Sequence, residues 1–412
     1  MPLFGVRTEA DPPSLGWDEA ACWLLHAHCW DTAAIKSGAV GDAEVKGGKT
    51  TGNPVGSVGR LGVVVPTGTT LFETLLLNLP IAKADLRPGQ REAVDRPQWR
   101  RPPVGPSWVS RDAEGVLDLL TWQSRRIRLV PSVDEKAGGP VVRTVVLAAG
   151  DRLSSIPEYE PHTAWSIVAD PKAGEAPQRP RRHRSGRAAW RGLDGLLAAR
   201  SAEGTVLSSV LFRQIGNLHA EEALEYDFLL GVELVGLEYG NQSAVVENLV
   251  HDTLPLPVAA LRADLHVGET VARLAGDADK LVKAINFLEG DLCRARGGEM
   301  VPWDKGERAS NRLVHRLDGI ARRILSGLQR EPSRLDEAMA AWAEAARQAT
   351  LDTAEELMAQ LSPAAFTGRA DDRRAYRAPL AEIRFRAGLR DALPELASDD
   401  LESAPDAMEV AE

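Results

Sequence analysis

Between Asp31 and Pro80 the chain runs through a loop rich in glycine and lysine and then into an apolar segment. The loop's residue types suit contact with phosphate. Glycine lets the main chain approach a ligand with no side chain in the way, and successive backbone amides beside a few cations make an anion-binding surface. Gly47, Gly48, Lys49 and Thr50 read like the end of a nucleotide phosphate loop. The spacing does not fit, because the first glycine of that pattern should stand at position 43, which is Ala43, and Gly41 comes two residues too early. A phosphate loop also follows a buried strand and opens directly into a helix, whereas here small polar residues precede it and Pro54 with further glycines follows. On composition alone the segment reads equally as a solvated surface loop.

Cys22, His26 and Cys29 stand at i, i+4 and i+7, so on a helix they could share one metal-binding face. No fourth ligand is evident, and among Trp23, Leu24, Leu25 and Trp30 they read as core residues. The remaining histidines are scattered without a partner pattern. No nucleophile elbow, zinc-protease helix or carboxylate cluster for two metal ions is visible. Triads are assembled in space rather than in sequence, so a metal- or nucleotide-dependent hydrolase using the glycine loop or the Cys22 face stays as the competing reading. Six arginines crowd between Arg179 and Arg191, either as a solvated connection or as a nucleic-acid contact. After a strand, Tyr239 to Ser243 forms an ordinary turn signal, yet an exposed Asn241–Gln242 pair can also reach base edges or wedge between base pairs.

The elements that must position these groups divide the chain in two. Its 412 residues, 44% of them hydrophobic, are ample for a large core. The net charge of −10 is mostly a tail, since eight acidic and no basic residues follow from Asp391 and the remainder carries about −2. Three cysteines imply no disulfide framework and suit a reducing cytoplasm, and neither a secretory signal nor a membrane span is visible. Residues 17–30 have helical spacing, packed on the core, and Thr69–Leu79 reads as a second helix or a buried strand. Lys83–Ser107 is a proline- and arginine-rich connection. GVLDLLTWQSRRIRLV reads as a short helix running into a strand, VVRTVVLAAGDRL as a strand, and TVLSSVLFRQI and LLGVELVGLEYG as two further β-rich segments. After about residue 260, four amphipathic stretches predict a bundle, with Pro379 kinking or delimiting the last helix. The expected fold class is α+β: a mixed α/β domain over 1–260, a four-helix bundle over 261–393 and an acidic disordered tail over 394–412.

Taken in order, DTAAIKSGAVGD, GTTLFETLLLNLP, GVLDLLTWQSRRIRLV, EPHTAW, AAWRGL and GLEYGNQSAVVE resemble the CasA family, in the form found in high-GC actinobacteria. That family is the large subunit of the type I-E CRISPR surveillance complex, Cascade. The resemblance implies binding without catalysis and without a metal or cofactor. It implies recognition of a protospacer-adjacent motif in double-stranded target DNA, help in opening the duplex for guide RNA, and docking of a helicase-nuclease. The implied partners are the guide RNA ribonucleoprotein and the other Cascade subunits. On this resemblance Gln242, preceded by Asn241, matches a wedge at a hairpin turn, and Lys36, Ser37 and Gly38 match a loop that touches the minor groove. Lys46, Lys49, Arg181 and Arg182 are weaker candidates for phosphate contacts. Thr32, Ala33 and Ala34 stand where some relatives have glycines, so a loop contact would run through backbone amides. The family normally begins with a further long stretch that grips the guide RNA's handle, and this chain is expected to lack it, since it starts just before the first helix.

Overall fold

The computed structural model describes residues 13–49, 52–80, 95–134, 139–157, 160–168, 170–171, 177–197, 206–262, 266–298, 308–370 and 375–396. Residues 397–412, which hold most of the acidic tail, and 83–94 of the proline-rich connection lie outside them. The elements that matter here are α1 (Trp17–Trp30), β1 (Val63–Thr67), α2 (Leu71–Leu77), α3 (Val116–Leu120), β2 (Arg125–Asp134), β3 (Gly139–Ala149), α4 (Val210–Ala220), β4 (Leu229–Tyr239) and β5 (Val246–Pro257). Four long helices follow: α5 (Val267–Ala295), α6 (Ala309–Arg330), α7 (Leu335–Ala359) and α8 (Ala378–Ala392).

Strand β4 is the middle of a three-stranded antiparallel sheet, flanked by β1 and β5. Its alternation puts Leu230, Val232 and Leu234 inward, and Leu254 and Leu256 of β5 join them. This face packs on the bundle. One hydrophobic cluster joins those side chains to Leu274 and Leu281 of α5, Leu317 and Leu325 of α6 and Trp342 of α7. Each such buried side chain contributes about 1.5–3 kcal/mol. Gln329 of α6 donates to the carbonyls of both Leu230 and Leu256, so sheet and bundle are stitched by hydrogen bonds as well as by packing. The core therefore runs unbroken across residue 260. A separate two-stranded ribbon, β2–β3, pairs Arg125 with Ala149 at its base.

The bundle follows its periodicity: Val271, Leu274, Leu281, Ile285, Leu288 and Leu292 line the buried face of α5, and Leu313, Leu317 and Leu328 that of α6. Pro379 sits in the first turn of α8, where its missing N–H costs nothing, so it delimits the helix. The residues just before it, Ala375–Tyr376, pair instead with Arg369–Ala370 as short strands. Thr69–Leu79 resolves to a helix because Thr70 and Glu73 form a reciprocal capping box.

Two readings need correction. TVLSSVLFRQI is mostly helix, not strand: the Ser209 hydroxyl caps α4 by accepting from the Phe212 amide, and Leu211, Phe212 and Ile215 bury one helical face. Helix α1 lies on the surface rather than in the core, with only Ala20 and His28 buried. Among the described residues no helix is long and apolar enough to cross a membrane.

Candidate nucleic-acid interface

The β4–β5 hairpin ends in a tight tip. Gly240 donates to the Val245 carbonyl at 2.9 Å and Ser243 to the Gly240 carbonyl at 2.8 Å. Gln242 and Ser243 both take φ 55°, a left-handed conformation that costs a side-chain-bearing residue about 1–2 kcal/mol. Asn241 and Gln242 are both exposed there, and neither amide side chain has a hydrogen-bond partner among the described residues.

The glycine loop meets this tip. Ala33 donates its amide to the Ser243 carbonyl at 2.8 Å, and the Tyr239 hydroxyl donates to the Trp30 carbonyl, also at 2.8 Å, across 209 residues of sequence. The neck of the loop is closed by paired bonds between Ala34 and Asn53. Beneath it lies Arg125, whose side chain is fully buried at the base of the ribbon. Its guanidinium donates to the Asp31 carboxylate at 2.7 Å, to the carbonyls of Ser124 and Thr32 at 2.7 Å each, and to that of Pro54 at 3.0 Å. A buried charge is tolerated only when paired and hydrogen-bonded, and Arg125 is both. Burial alone would raise the Asp31 carboxyl; hydrogen bonds and charge from Lys36 and Arg125 outweigh it and hold the group below its usual range. Nothing in the sequence singled out Arg125, because one arginine among several at a strand start carries no signal of burial.

The predicted site residues divide between tip, loop and cleft. Lys36 is turned inward onto Asp31 at 2.9 Å, its side chain mostly covered. Ser37 is exposed, and its carbonyl accepts from Ala149 at 2.9 Å, fixing the loop to the end of β3. Gly38 has no room for a side chain, since a Cβ there would stand 1.8 Å from Val45 Cγ2. Lys46 and Lys49 are exposed at a hairpin-like turn whose Gly47 and Gly48 have positive φ (60° and 77°) and open space around them. Arg181 pairs with Asp194 at 2.8 Å, and Arg187 and Arg191 both pair with Asp279, so these three serve the fold. Arg179, Arg182 and Arg184 are exposed along a cleft of about 690 Å³ that also takes in His183, Glu238 and Asp252.

The metal face does not assemble well. Cys22 and His26 are exposed, whereas Cys29 is half-buried, donates to the Leu120 carbonyl at 3.6 Å, and is pushed up to about 11 by burial, which disfavours the thiolate a metal needs. Among the described residues no group of three or more His, Cys, Asp or Glu side chains is placed to hold a metal. What the surface offers is two exposed side-chain amides, a loop whose backbone can be approached closely, and exposed cations to one side.

A family model described as CRISPR-associated protein Cse1 matches residues 2–353. Among solved structures, Cse1 from Thermobifida fusca superposes with a TM-score of 0.78 at 33% identity, over 95% of this chain and 73% of that one. Cse1 from Acidimicrobium ferrooxidans gives 0.76 at 28%, over 95% and 75%. A chain of a CRISPR RNA-guided surveillance complex shares the fold, with a TM-score of 0.52 at 20% identity over 93% and 70%. No curated protein sequence matches the chain.

Proposed function

The chain belongs to the CRISPR-associated protein Cse1 family, also called CasA, and from that premise we propose that it is the noncatalytic large subunit of a type I-E surveillance complex, reading the protospacer-adjacent motif in double-stranded target DNA. In this reading it works with a guide RNA ribonucleoprotein and the other Cascade subunits, helps open the duplex beside the motif, and presents a docking surface to a helicase-nuclease. The protein reads a short motif and backbone shape, while RNA pairing reads the rest of the target.

The observation that carries the reading is the bond between Ala33 and Ser243, which makes the loop and the hairpin tip one surface. Gln242 and Asn241 are presented as a wedge whose amides can replace hydrogen bonds lost when a base pair opens. The Ser37–Gly38 segment lies further along the same loop, offering backbone to the minor groove, whose degenerate pattern suits tolerance of related motifs. Lys46, Lys49 and Arg182, all exposed, supply the charge for phosphates in this reading. Lys36 and Arg181, each held in an ion pair, act by shaping the loop and the cleft wall.

Reconstituting the complex and measuring target binding with Gln242→Ala tests this. The expected loss is about 10- to 100-fold on motif-bearing duplex, with less motif preference. Unchanged affinity and unchanged preference would remove the wedge assignment.

A further inference from the structure

Two arginines meet near the outer end of β4, where the Arg182 side chain lies against the main chain of Arg60. Arg60 ends the short turn Val58–Arg60 that leads into β1, and Arg182 follows the strand Gln178–Pro180. Arg182 Nε donates to the Arg60 carbonyl at 3.1 Å, and Arg60 Nη1 donates to the Leu153 carbonyl at 3.3 Å. Among the described residues neither guanidinium has a carboxylate partner within ion-pair distance. Of the nearby acids, Asp31 is paired with Lys36 and Arg125, Glu238 accepts from Ser185 and Asn248, and Glu247 lines the same cleft as Arg182 without a carboxylate–guanidinium contact to it among the described residues. Gly59 abuts the Tyr239 hydroxyl, so Arg60 follows directly on a contact with the last residue of β4, two positions before Asn241.

We propose that Arg60 and Arg182 form one anion site that grips a single backbone phosphate of the nucleic acid whose motif the tip reads. Burial first, and then the positive charge of Arg182, weaken Arg60's hold on its proton, so the two like charges carry an electrostatic cost. A phosphodiester removes that cost: it supplies the missing negative charge, and planar guanidinium forks match its oxygens in pairs. The site fixes how deep the wedge sits, because a phosphate held beside the end of β4 sets the register of the bases reaching the tip.

The inference rests on the duplex-reading function above, and the experiment separates the two. Wild type, Arg60→Gln, Arg182→Gln and the double variant are titrated with a fluorescein-labelled duplex of fixed sequence across about 50 to 200 mM salt, recording thermal unfolding of each. Each single substitution is expected to weaken binding about tenfold, equally for duplexes with and without the motif, and to flatten the salt dependence by up to about one unit of log–log slope. Because both side chains hold one phosphate, the double variant loses less than the product of the two, and Arg60→Lys retains most of the slope. An unchanged slope in Arg60→Gln, whether or not its unfolding temperature falls, makes Arg60 a packing residue and overturns the site. Losses that multiply independently overturn it too, by assigning two separate contacts. If Gln242→Ala leaves motif preference intact while Arg60→Gln flattens the slope, the wedge falls and the anion site stands; the reverse pattern removes only the anion site.

Discussion

The bundle and the loop–hairpin end are held together by opposite means. In the bundle, stability is spread over many apolar side chains, among them Leu281, Leu313, Leu317 and Leu325, each fully buried and none indispensable to its neighbours' geometry. At the other end a handful of polar tethers does the holding: the guanidinium of Arg125, the carboxylate of Asp31, the amide of Ala33 and the hydroxyl of Tyr239. Apolar packing is non-directional and averages out small errors, whereas a hydrogen-bonded hub fixes angles. A surface that must present two amides and a loop in fixed register needs the second kind.

The contrast is sharpest in a pair of substitutions. Arg125→Met leaves Asp31 to Lys36 alone and frees the Ser124, Thr32 and Pro54 carbonyls, a loss of about 1–3 kcal/mol or more, and it should abolish motif preference along with part of the stability. Leu317→Ala costs about 2–5 kcal/mol through lost transfer energy and a cavity, yet the ratio of affinities for motif-bearing and motif-less duplex should hold. Denaturant unfolding paired with duplex titration reads both. If Leu317→Ala changes the ratio as much as Arg125→Met does, the two regions are not mechanically distinct.

Acid should also discriminate between the two ends. His28, under the loop, is lowered from 6.5 to about 4 by burial first and then by the charges of Arg125 and Arg126. Unfolded, it takes up a proton near 6.5; folded, only near 4. The folded state thus binds fewer protons in that window, so stability is complete above the higher value and falls by about 3 kcal/mol as pH drops to the lower one. The Asp31 contribution has the same sign but is lost only below the ordinary carboxylate range. His28→Gln should flatten the unfolding midpoint between those two pH values, as followed by the fluorescence of nearby tryptophans. A wild-type profile already flat there would mean that the loop end does not limit stability.

The same contrast explains what could be read from the chain. Leu313, Leu317 and Leu328 fall on one helical face, and that periodicity is visible without a structure. So is the turn at Tyr239–Ser243, because glycine and asparagine after an apolar strand mark one. The misreading of TVLSSVLFRQI arose because a short apolar run carries no period of its own, and the deciding signal was one capping serine. Arg125 was illegible for a deeper reason. Its role depends on acceptors far away in the chain, Asp31, Thr32 and Pro54, and no local pattern announces a partner 94 residues away.

The finest test of the comparison is Tyr239→Phe, which removes one hydrogen bond and nothing else. The hydroxyl's link to the Trp30 carbonyl joins the tip end of β4 to the end of α1, beside the Ala33–Ser243 bond that joins the tip to the loop. Losing it should cost about 1 kcal/mol, since the freed carbonyl is only partly buried, and the bundle should be untouched. If the tip and loop act as one reading surface, even this small loosening lets the wedge tilt against the groove, so motif discrimination should fall severalfold while affinity for motif-less duplex and its salt slope stay at wild-type values. The two effects have different origins: discrimination depends on angle, whereas backbone attraction depends on charge, which the substitution leaves alone. Should discrimination survive intact with stability lowered, the tether is merely structural, and the hub at Arg125 by itself sets the register.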